Sequence, residues 1–237
     1  MGKIEKLLKI AVRPELWRGL MAGTAASMEH LGAMQRLNIA TCLDVGANKG
    51  QFALLCRYLF PEAHIIAFEP IADFADRCER ILAGGHAKVH RVAVGASAGT
   101  SSFYITKKRD SSSLLLPSER QTSAYGTELK EICTVDVRRL DEILASENFP
   151  SPTLIKIDVQ GGELEVLRGA VGVFNRIDHI YLEGSFVELY DRQPLIADII
   201  NFLAAHSFAL LGVYNTSYTE QYGATQADFL FSRSAAC

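Results

Sequence analysis

One stretch constrains the fold of this chain more than any other. Cys42-Leu43-Asp44-Val45-Gly46-Ala47-Asn48-Lys49-Gly50 reads as an apolar strand that ends in an acid and turns through glycines, and Gln51-Phe52-Ala53-Leu54-Leu55-Cys56-Arg57-Tyr58-Leu59 supplies the helix after it. Glycine has no Cβ and tolerates positive φ, so the backbone can approach a ligand there, and the helix start adds unpaired N–H donors. A second apolar strand, His64-Ile65-Ile66-Ala67-Phe68, ends at Glu69, 25 positions beyond Asp44. Strand, glycine turn, helix, strand and acid in this order describe an α/β unit that binds a ribose-containing cofactor.

The glycine spacing narrows the cofactor. A dinucleotide fingerprint needs G-x-G-x-x-G to seat a pyrophosphate, whereas Ala47 and Lys49 leave only Gly46 and Gly50, with Asp44 directly ahead. An acid beside a pyrophosphate repels it; the same acid suits an ammonium without a phosphate, as in the methionine part of S-adenosylmethionine. Glu69 then accepts both ribose hydroxyls. Taken alone, Asp44 reads equally well as a turn residue and Glu69 as a surface acid before Pro70.

At 237 residues the chain can bury a substantial core as one domain with an added helical segment. Cys42, Cys56, Cys78, Cys133 and Cys237 are odd in number and lack C-x-x-C spacing, which points to reduced thiols in a cytoplasmic protein and away from a zinc site. A net charge of −3 and a pI near 6.1 give no field for nucleic acid, so small molecules or glycans are the expected partners, with no transmembrane segment. Met1-Gly2 resembles a myristoylation start, but Lys6 stands where Ser or Thr is wanted. Lys3 to Ile10 reads as a basic amphipathic turn or two, expected to pack on the domain, the alternative being contact with a membrane surface. Sequence does not determine the oligomeric state.

Residues 3 to 37 read as helix, interrupted near Arg13-Pro14, and residues 1 to 37 form an N-terminal helical cap on a domain spanning 38 to 237. Strands are expected at 41 to 45, 63 to 68, 87 to 94, 153 to 158 and 178 to 183, with helices near 50 to 60, 71 to 83, 162 to 172 and 194 to 206. This alternation implies a parallel sheet covered on both faces. Phe208 to Tyr214 and Asp228 to Phe231 follow with no helix between them, which suits a hairpin edge. Residues 95 to 130, rich in glycine and serine, break the alternation and read as a long irregular, substrate-facing segment.

Leu154-Ile155-Lys156-Ile157-Asp158-Val159-Gln160-Gly161-Gly162-Glu163 repeats the strand, acid, glycine turn and helix of the first motif. Ligands in open α/β sheets bind at such strand ends, so Asp158 is expected to face the reacting centre. Glu163 either complements its helix dipole and orphan N–H groups or serves the site.

These two stretches, with Ala67-Phe68-Glu69-Pro70, Arg139-Leu140-Asp141-Glu142-Ile143-Leu144, Glu163 to Ala170, Ser185-Phe186-Val187-Glu188-Leu189-Tyr190 and Gln226-Ala227-Asp228, resemble the FkbM family of S-adenosylmethionine-dependent methyltransferases over roughly residues 35 to 232. Gly162 stands where that family usually shows alanine, a change expected to loosen the turn. The resemblance implies a Rossmann-like class I methyltransferase fold: a three-layer sandwich around a seven-stranded, mostly parallel sheet with its last strand antiparallel. It further implies that Gly46 and Asn48 contact the methionyl end, Glu69 the ribose, and Ala93-Val94-Gly95 the adenine. Family members commonly methylate hydroxyls, often on sugars of glycolipids, signalling oligosaccharides or polyketides.

Transfer to a hydroxyl requires a group that accepts its proton, and Asp158 is the first choice for it. Glu183 ends the next strand and stands beside Asp158 if the two strands are adjacent. A divalent cation held between these acids is the less favoured alternative, since only two convincing oxygen donors are present. Ser112, Ser113 and Tyr190 are candidates to hydrogen-bond a sugar, and Phe186 with Tyr190 to stack on one. His64, His90, His179 and His206 read as structural. Competing readings are a nicotinamide-dependent oxidoreductase, a non-catalytic adenosyl-binding module, and a methyltransferase acting on an amine or carboxylate.

Overall fold

The computed structural model describes residues 3–234; Met1, Gly2 and Cys237 lie outside the described residues. The cap consists of α1 (Lys3–Ala11), α2 (Trp17–Met21) and α3 (Leu31–Met34), with single 3-10 turns at Pro14–Leu16 and Met28–His30. It is thus more broken than the expected helix with one interruption. There follow β1 (Thr41–Val45), α4 (Gln51–Leu59), β2 (His64–Phe68), α5 (Ala72–Leu82), β3 (Ala87–His90), β4 (Ala93–Val94), β5 (Gly99–Thr106), α6 (Glu119–Tyr125) and β6 (Leu129–Arg138). The chain continues through α7 (Leu140–Leu144), β7 (Thr153–Ile157), α8 (Glu163–Arg168), β8 (His179–Ser185), α9 (Ile196–Ala205), β9 (Phe208–Thr219) and β10 (Gly223–Arg233).

Seven strands form one sheet in the order β3-β2-β1-β7-β8-β10-β9. All pairs from β3 to β8 are parallel, and β10 runs antiparallel to both β8 and β9. The expected hairpin is therefore present, with the chain's last strand inserted inside the edge. Strand order reverses direction between β1 and β7, which opens a crevice at their carboxyl ends.

Strand alternation divides the core. Leu43, Val45, Ile155, Ile157, Ile180 and Leu182 face one layer with α8 and α9, where they meet Leu164, Leu167, Ile199 and Leu203. Cys42, Leu154, Tyr181 and Leu230 face the other, packed against Phe52 and Leu55 of α4 and against Ile10, Leu16, Met28 and Met34 of the cap. The cap thus shares a core with the sheet. Only part of α1 joins it: Ile10 is buried, while Ile4, Leu7 and Leu8 are exposed, contrary to the expected packing of that stripe.

Two further expectations are corrected. Residues 87 to 94 are two strands, because the chain leaves the large sheet after His90 and re-pairs at Ala93 with Val137. Residues 95 to 130 are largely regular, since β5 pairs with β6 and these two with β4 make a three-stranded sheet. Its buried face is short: Phe103, Ile105, Val135 and Val137 close over Ile71 and Phe74. Phe103 and Ile105 are the only buried apolar residues of β5, and Val135 and Val137 those of β6, which leaves too short an alternation to signal a strand.

Candidate active site

Two glycine turns meet at the crevice. Gly46 follows β1 with φ 75°, and a Cβ there would fall 1.9 Å from the Asp158 carbonyl oxygen. Asp158 N–H donates to the Val45 carbonyl (3.1 Å), so the first motif and the second are backbone neighbours. Gly50 also has positive φ, but it faces Cys78 behind the turn and serves to start α4.

Glu69 anchors the turn after β1. Its Oε2 accepts the Asn48 N–H (2.9 Å) and its Oε1 the Ile71 N–H (2.8 Å). Asn48 sits at φ 50°, and its side-chain amide donates to Asp110 (3.1 Å). Burial pushes the Glu69 carboxyl up to about 7, against the pull of its two backbone donors. Each oxygen keeps a lone pair beyond its backbone partner, which is what two ribose hydroxyls would require.

Asp44 is fully buried and does not line the cavity. Its Oδ1 lies 3.0 Å from Lys156 Nζ, which also donates to the Gly46 carbonyl (2.8 Å). Register explains the pairing, since Asp44 and Lys156 are cross-strand partners of β1 and β7. Burial alone would lower the Lys156 ammonium, but Asp44 and Asp158 outweigh it and hold the proton on. The expected ammonium partner of Asp44 is thus a lysine of the chain itself.

A cleft of about 980 Å³, open at its mouth, runs through this region. One half is apolar, walled by Phe68, Ile71, Phe74, Ala93, Val94 and Phe103. The other half is polar, walled by Asn48, Gln51, Lys156, Asp158, Gln160 and His30, and Glu69 stands in the wall as well. An apolar slot, an acid with free lone pairs and a polar end thus share one cleft.

The two candidate catalytic acids are neighbours, because β7 and β8 pair in parallel. Gln160 lies between them: its Nε2 donates to Asp158 Oδ1 (2.7 Å) and Glu183 Oε2 (3.1 Å). Gln226 also donates to Glu183 (2.8 Å). Burial, then the charges of Asp158 and Asp228, push the Glu183 carboxyl well above its ordinary range. Asp158 is the more open acid, with its side chain 43 % exposed and Lys156 Nζ at 3.9 Å. Among the described residues no cluster of three or more His, Cys, Asp or Glu side chains is arranged to hold a metal.

Residues 109 to 114 reach the cavity through Arg109, Asp110, Ser112 and Leu114. Ser113 is buried and points at the second motif, its hydroxyl donating to the Gln160 carbonyl (2.7 Å). Ser112 accepts the Thr106 N–H (3.2 Å). Tyr190 is fully buried, its hydroxyl 3.0 Å from Gln160 Oε1, 3.1 Å from the Ser111 carbonyl and 3.1 Å from Gln121 Nε2. It therefore holds Gln160 and offers no stacking face, while Phe186 packs edge-on against Phe229. Glu163 accepts the Gly161 N–H (3.0 Å) and the Val159 N–H (3.3 Å), the structural role open to it from sequence. Gly162 has ordinary φ, and a Cβ there would meet only Val159 Cγ2 at 3.4 Å, so alanine would fit this turn without strain.

Sequence reading missed Lys156, Gln160 and His30. Lys156 carried a signal, since a lysine inside an apolar strand must find a buried partner. His30 carried none, because its contacts, Tyr181 and Asp228, lie 151 and 198 positions away.

The profile of the methyltransferase FkbM domain matches residues 44–210, well over half of the chain. The chain belongs to the FkbM methyltransferase family. This FkbM-family chain is an S-adenosylmethionine-dependent methyltransferase. It is 29% identical over 180 residues to 2-O-methyltransferase NoeI of Sinorhizobium fredii, covering 73% of each chain. It is 30% identical over 142 residues to hexuronic acid methyltransferase AglP of Haloferax volcanii, covering 59% of this chain but only 54% of that protein. The fold is shared with M. capricolum TrmK, solved with S-adenosylhomocysteine, at TM-score 0.51 and 7% identity over 86% of this chain and 67% of that one. No helix among the described residues is long and apolar enough to cross a membrane.

Proposed function

We propose that this methyltransferase acts on a hydroxyl of a sugar, in a glycolipid, oligosaccharide or natural product. The observation that carries the reading is the single cleft in which the carboxylate of Glu69 and the more open carboxylate of Asp158 stand in one wall. The name of NoeI, a 2-O-methyltransferase, supports a hydroxyl acceptor, and that of AglP, a hexuronic acid methyltransferase, supports a sugar.

In this reading Glu69 receives the ribose hydroxyls, Ala93 and Val94 flank the adenine, and Gly46 and Asn48 face the methionyl end. Asp44 and Gly50 act from behind the turn, through the Lys156 ion pair and the start of α4. When bound, S-adenosylmethionine supplies an electrophilic methyl group on a sulfonium. Asp158 receives the hydrogen bond of the acceptor hydroxyl and sets its approach, which matters because in-line geometry supplies much of the rate. Gln160, fixed by Tyr190 and Ser113, holds Asp158 and keeps it apart from Glu183. Burial and the charges of Asp158 and Asp228 push the Glu183 carboxyl upward, which eases the repulsion between the two acids. Ser112 faces the cavity as a sugar-binding candidate, and residues 3–37 form a cap on the methyltransferase domain.

The test is methyl transfer from labelled S-adenosylmethionine to a panel of p-nitrophenyl glycosides, including a hexuronide. Transfer to a ring hydroxyl is expected, and Asp158→Asn should lower it by two orders of magnitude or more with S-adenosylhomocysteine affinity kept within about twofold. Methylation confined to amines or carboxylates would overturn the reading.

A further inference from the structure

Outside the two motifs, one group in the cavity wall is held as tightly as any residue within them. His30 ends a 3-10 turn of the cap and lines the polar end of the cleft with Ser27 and Glu29. Its Nδ1 lies 3.0 Å from Asp228 Oδ2 and 2.9 Å from the Tyr181 hydroxyl. The Tyr181 hydroxyl donates its hydrogen to Asp228 (2.8 Å), and the Asn215 amide donates to the same oxygen (2.7 Å). The Asn215 nitrogen stands 3.4 Å from Nδ1, the longest of these distances. A carboxylate that already accepts two hydrogens, and a hydroxyl whose hydrogen is committed, leave Nδ1 only one part to play. In the neutral ring Nδ1 then carries the proton and donates it, which leaves the Nε2 lone pair free of these partners.

The ring is also fixed in plane. Phe52 stands edge-to-face with it at 5.6 Å and Tyr181 at 5.5 Å. Burial would raise the Asp228 carboxyl, but the bonds from His30, Asn215 and Tyr181 outweigh it and hold the group below its ordinary range. Asp228 is the cross-strand partner of Glu183, and Tyr181 that of Lys156, so this cluster continues the row of polar residues that ends at Asp158.

We propose that His30, oriented by Asp228, is the general base that takes the proton of the acceptor hydroxyl, with Asp158 aligning that hydroxyl. The inference rests on the sugar-hydroxyl reading above. In the step, the acceptor oxygen forms a bond to the methyl carbon as the carbon–sulfur bond breaks. The electron pair of that bond stays on sulfur as a neutral thioether, the O–H pair stays on oxygen, and the proton passes to His30 Nε2. The imidazolium so formed is stabilised by Asp228. Imidazole suits the task because general-base efficiency is greatest when the base titrates near the working pH, and carboxylates ordinarily titrate lower. The charged and titratable groups around the ring are Asp228 and Tyr181, Glu29 with its partner Lys6 of α1, and Lys156 behind Phe52.

Two measurements test this. The first needs no acceptor: nitrogen-detected imidazole spectra of the full chain, assigned through His30→Gln, with and without S-adenosylhomocysteine. The Nδ1–H tautomer is expected, and Asp228→Asn should move the Nδ1 resonance because the charge that accepts its hydrogen bond is gone. A proton on Nε2, or no change in Asp228→Asn, would overturn the proposal. The second is kinetic, on the glycoside panel. His30→Gln should lower kcat by 100-fold or more, keep S-adenosylhomocysteine affinity within twofold, and remove the rise of rate with pH through the imidazole range. Unchanged kcat, or cofactor affinity falling together with kcat, would overturn it. Should the wild-type chain methylate no glycoside, the sugar reading fails, and the imidazole spectra still decide for or against the dyad.

Discussion

In the proposed reading the cleft has a cofactor end and an acceptor end, and the two are built differently. The cofactor end is made by neighbours in sequence: the turn after β1 and Glu69 after β2 are tied by main-chain hydrogen bonds from Asn48 and Ile71. The acceptor end is made by side chains from distant segments, with His30 from the cap, Asp158 and Gln160 after β7, Glu183 from β8 and Asp228 from β10. A cofactor common to a family can be held by backbone geometry, which few substitutions alter. An acceptor that differs between members calls for side chains, which can be exchanged without disturbing the sheet.

The sharpest way to break this comparison is at Gly46, where both ends touch. Gly46→Ala places a Cβ 1.9 Å from the Asp158 carbonyl at a φ of 75°. The backbone must move, at a cost on the order of 4 kcal/mol. Urea unfolding should register the loss, and cofactor binding should vanish with it. A stable Gly46→Ala protein that binds normally would show that the two turns are not locked together.

The buried ion pair beneath the turn comes next. Lys156→Met leaves Asp44 without its cation and is expected to destabilise the fold by about 3–5 kcal/mol. Adding Asp44→Asn should restore much of that, because the uncompensated charge is gone. If the double variant is no more stable than the single one, the pair is not the source of the loss.

Glu69 gives a pH test confined to the cofactor end. Its carboxyl is raised to about 7 by burial, from 4.5, so the empty folded state binds more protons than the unfolded chain between these values. Its contribution to stability is therefore full below about pH 4.5 and is lost as pH rises through about 7, and buried Glu163, also near 7, acts in the same direction. Cofactor affinity runs the opposite way, since ribose hydroxyls donate to the ionised form. Affinity for S-adenosylhomocysteine should weaken towards tenfold for each unit of pH below about 7. Calorimetric titrations from pH 5.5 to 8 would read this, and Glu69→Gln should flatten the curve. A slope that survives in Glu69→Gln belongs to another group.

The smallest effect is expected at Gly162→Ala. With ordinary φ and only Val159 Cγ2 at 3.4 Å, the new methyl should change stability by less than about 1 kcal/mol, in the stabilising direction through the unfolded chain. Thermal melts beside those of Gly46→Ala would set the strained glycine against the relaxed one.

How much of this was legible in the sequence follows the same division. The strand, turn and helix order around Gly46, and the acid at Glu69, are local patterns, and the structure places both in the cleft wall. The adjacency of Asp158 and Glu183 depended on strand order, and β7 lies next to β8. Asp44 misled because an acid before a glycine turn looks the same whether it meets a ligand or a lysine; only the register of β1 on β7 distinguishes them. The three-stranded sheet escaped because its buried face needs only Phe103, Ile105, Val135 and Val137.

The sequence by itself determined the parallel α/β sheet, the turn and acid that line the cleft, and the family, because periodicity and turn chemistry act over a few residues. The tertiary structure alone decided the long-range side-chain contacts around the cleft: the Asp44–Lys156 pair, the Gln160 clamp and the His30–Asp228 dyad. Those contacts join side chains separated by as many as 198 positions, and nothing in a local pattern records which of them the sheet will bring within hydrogen-bond reach.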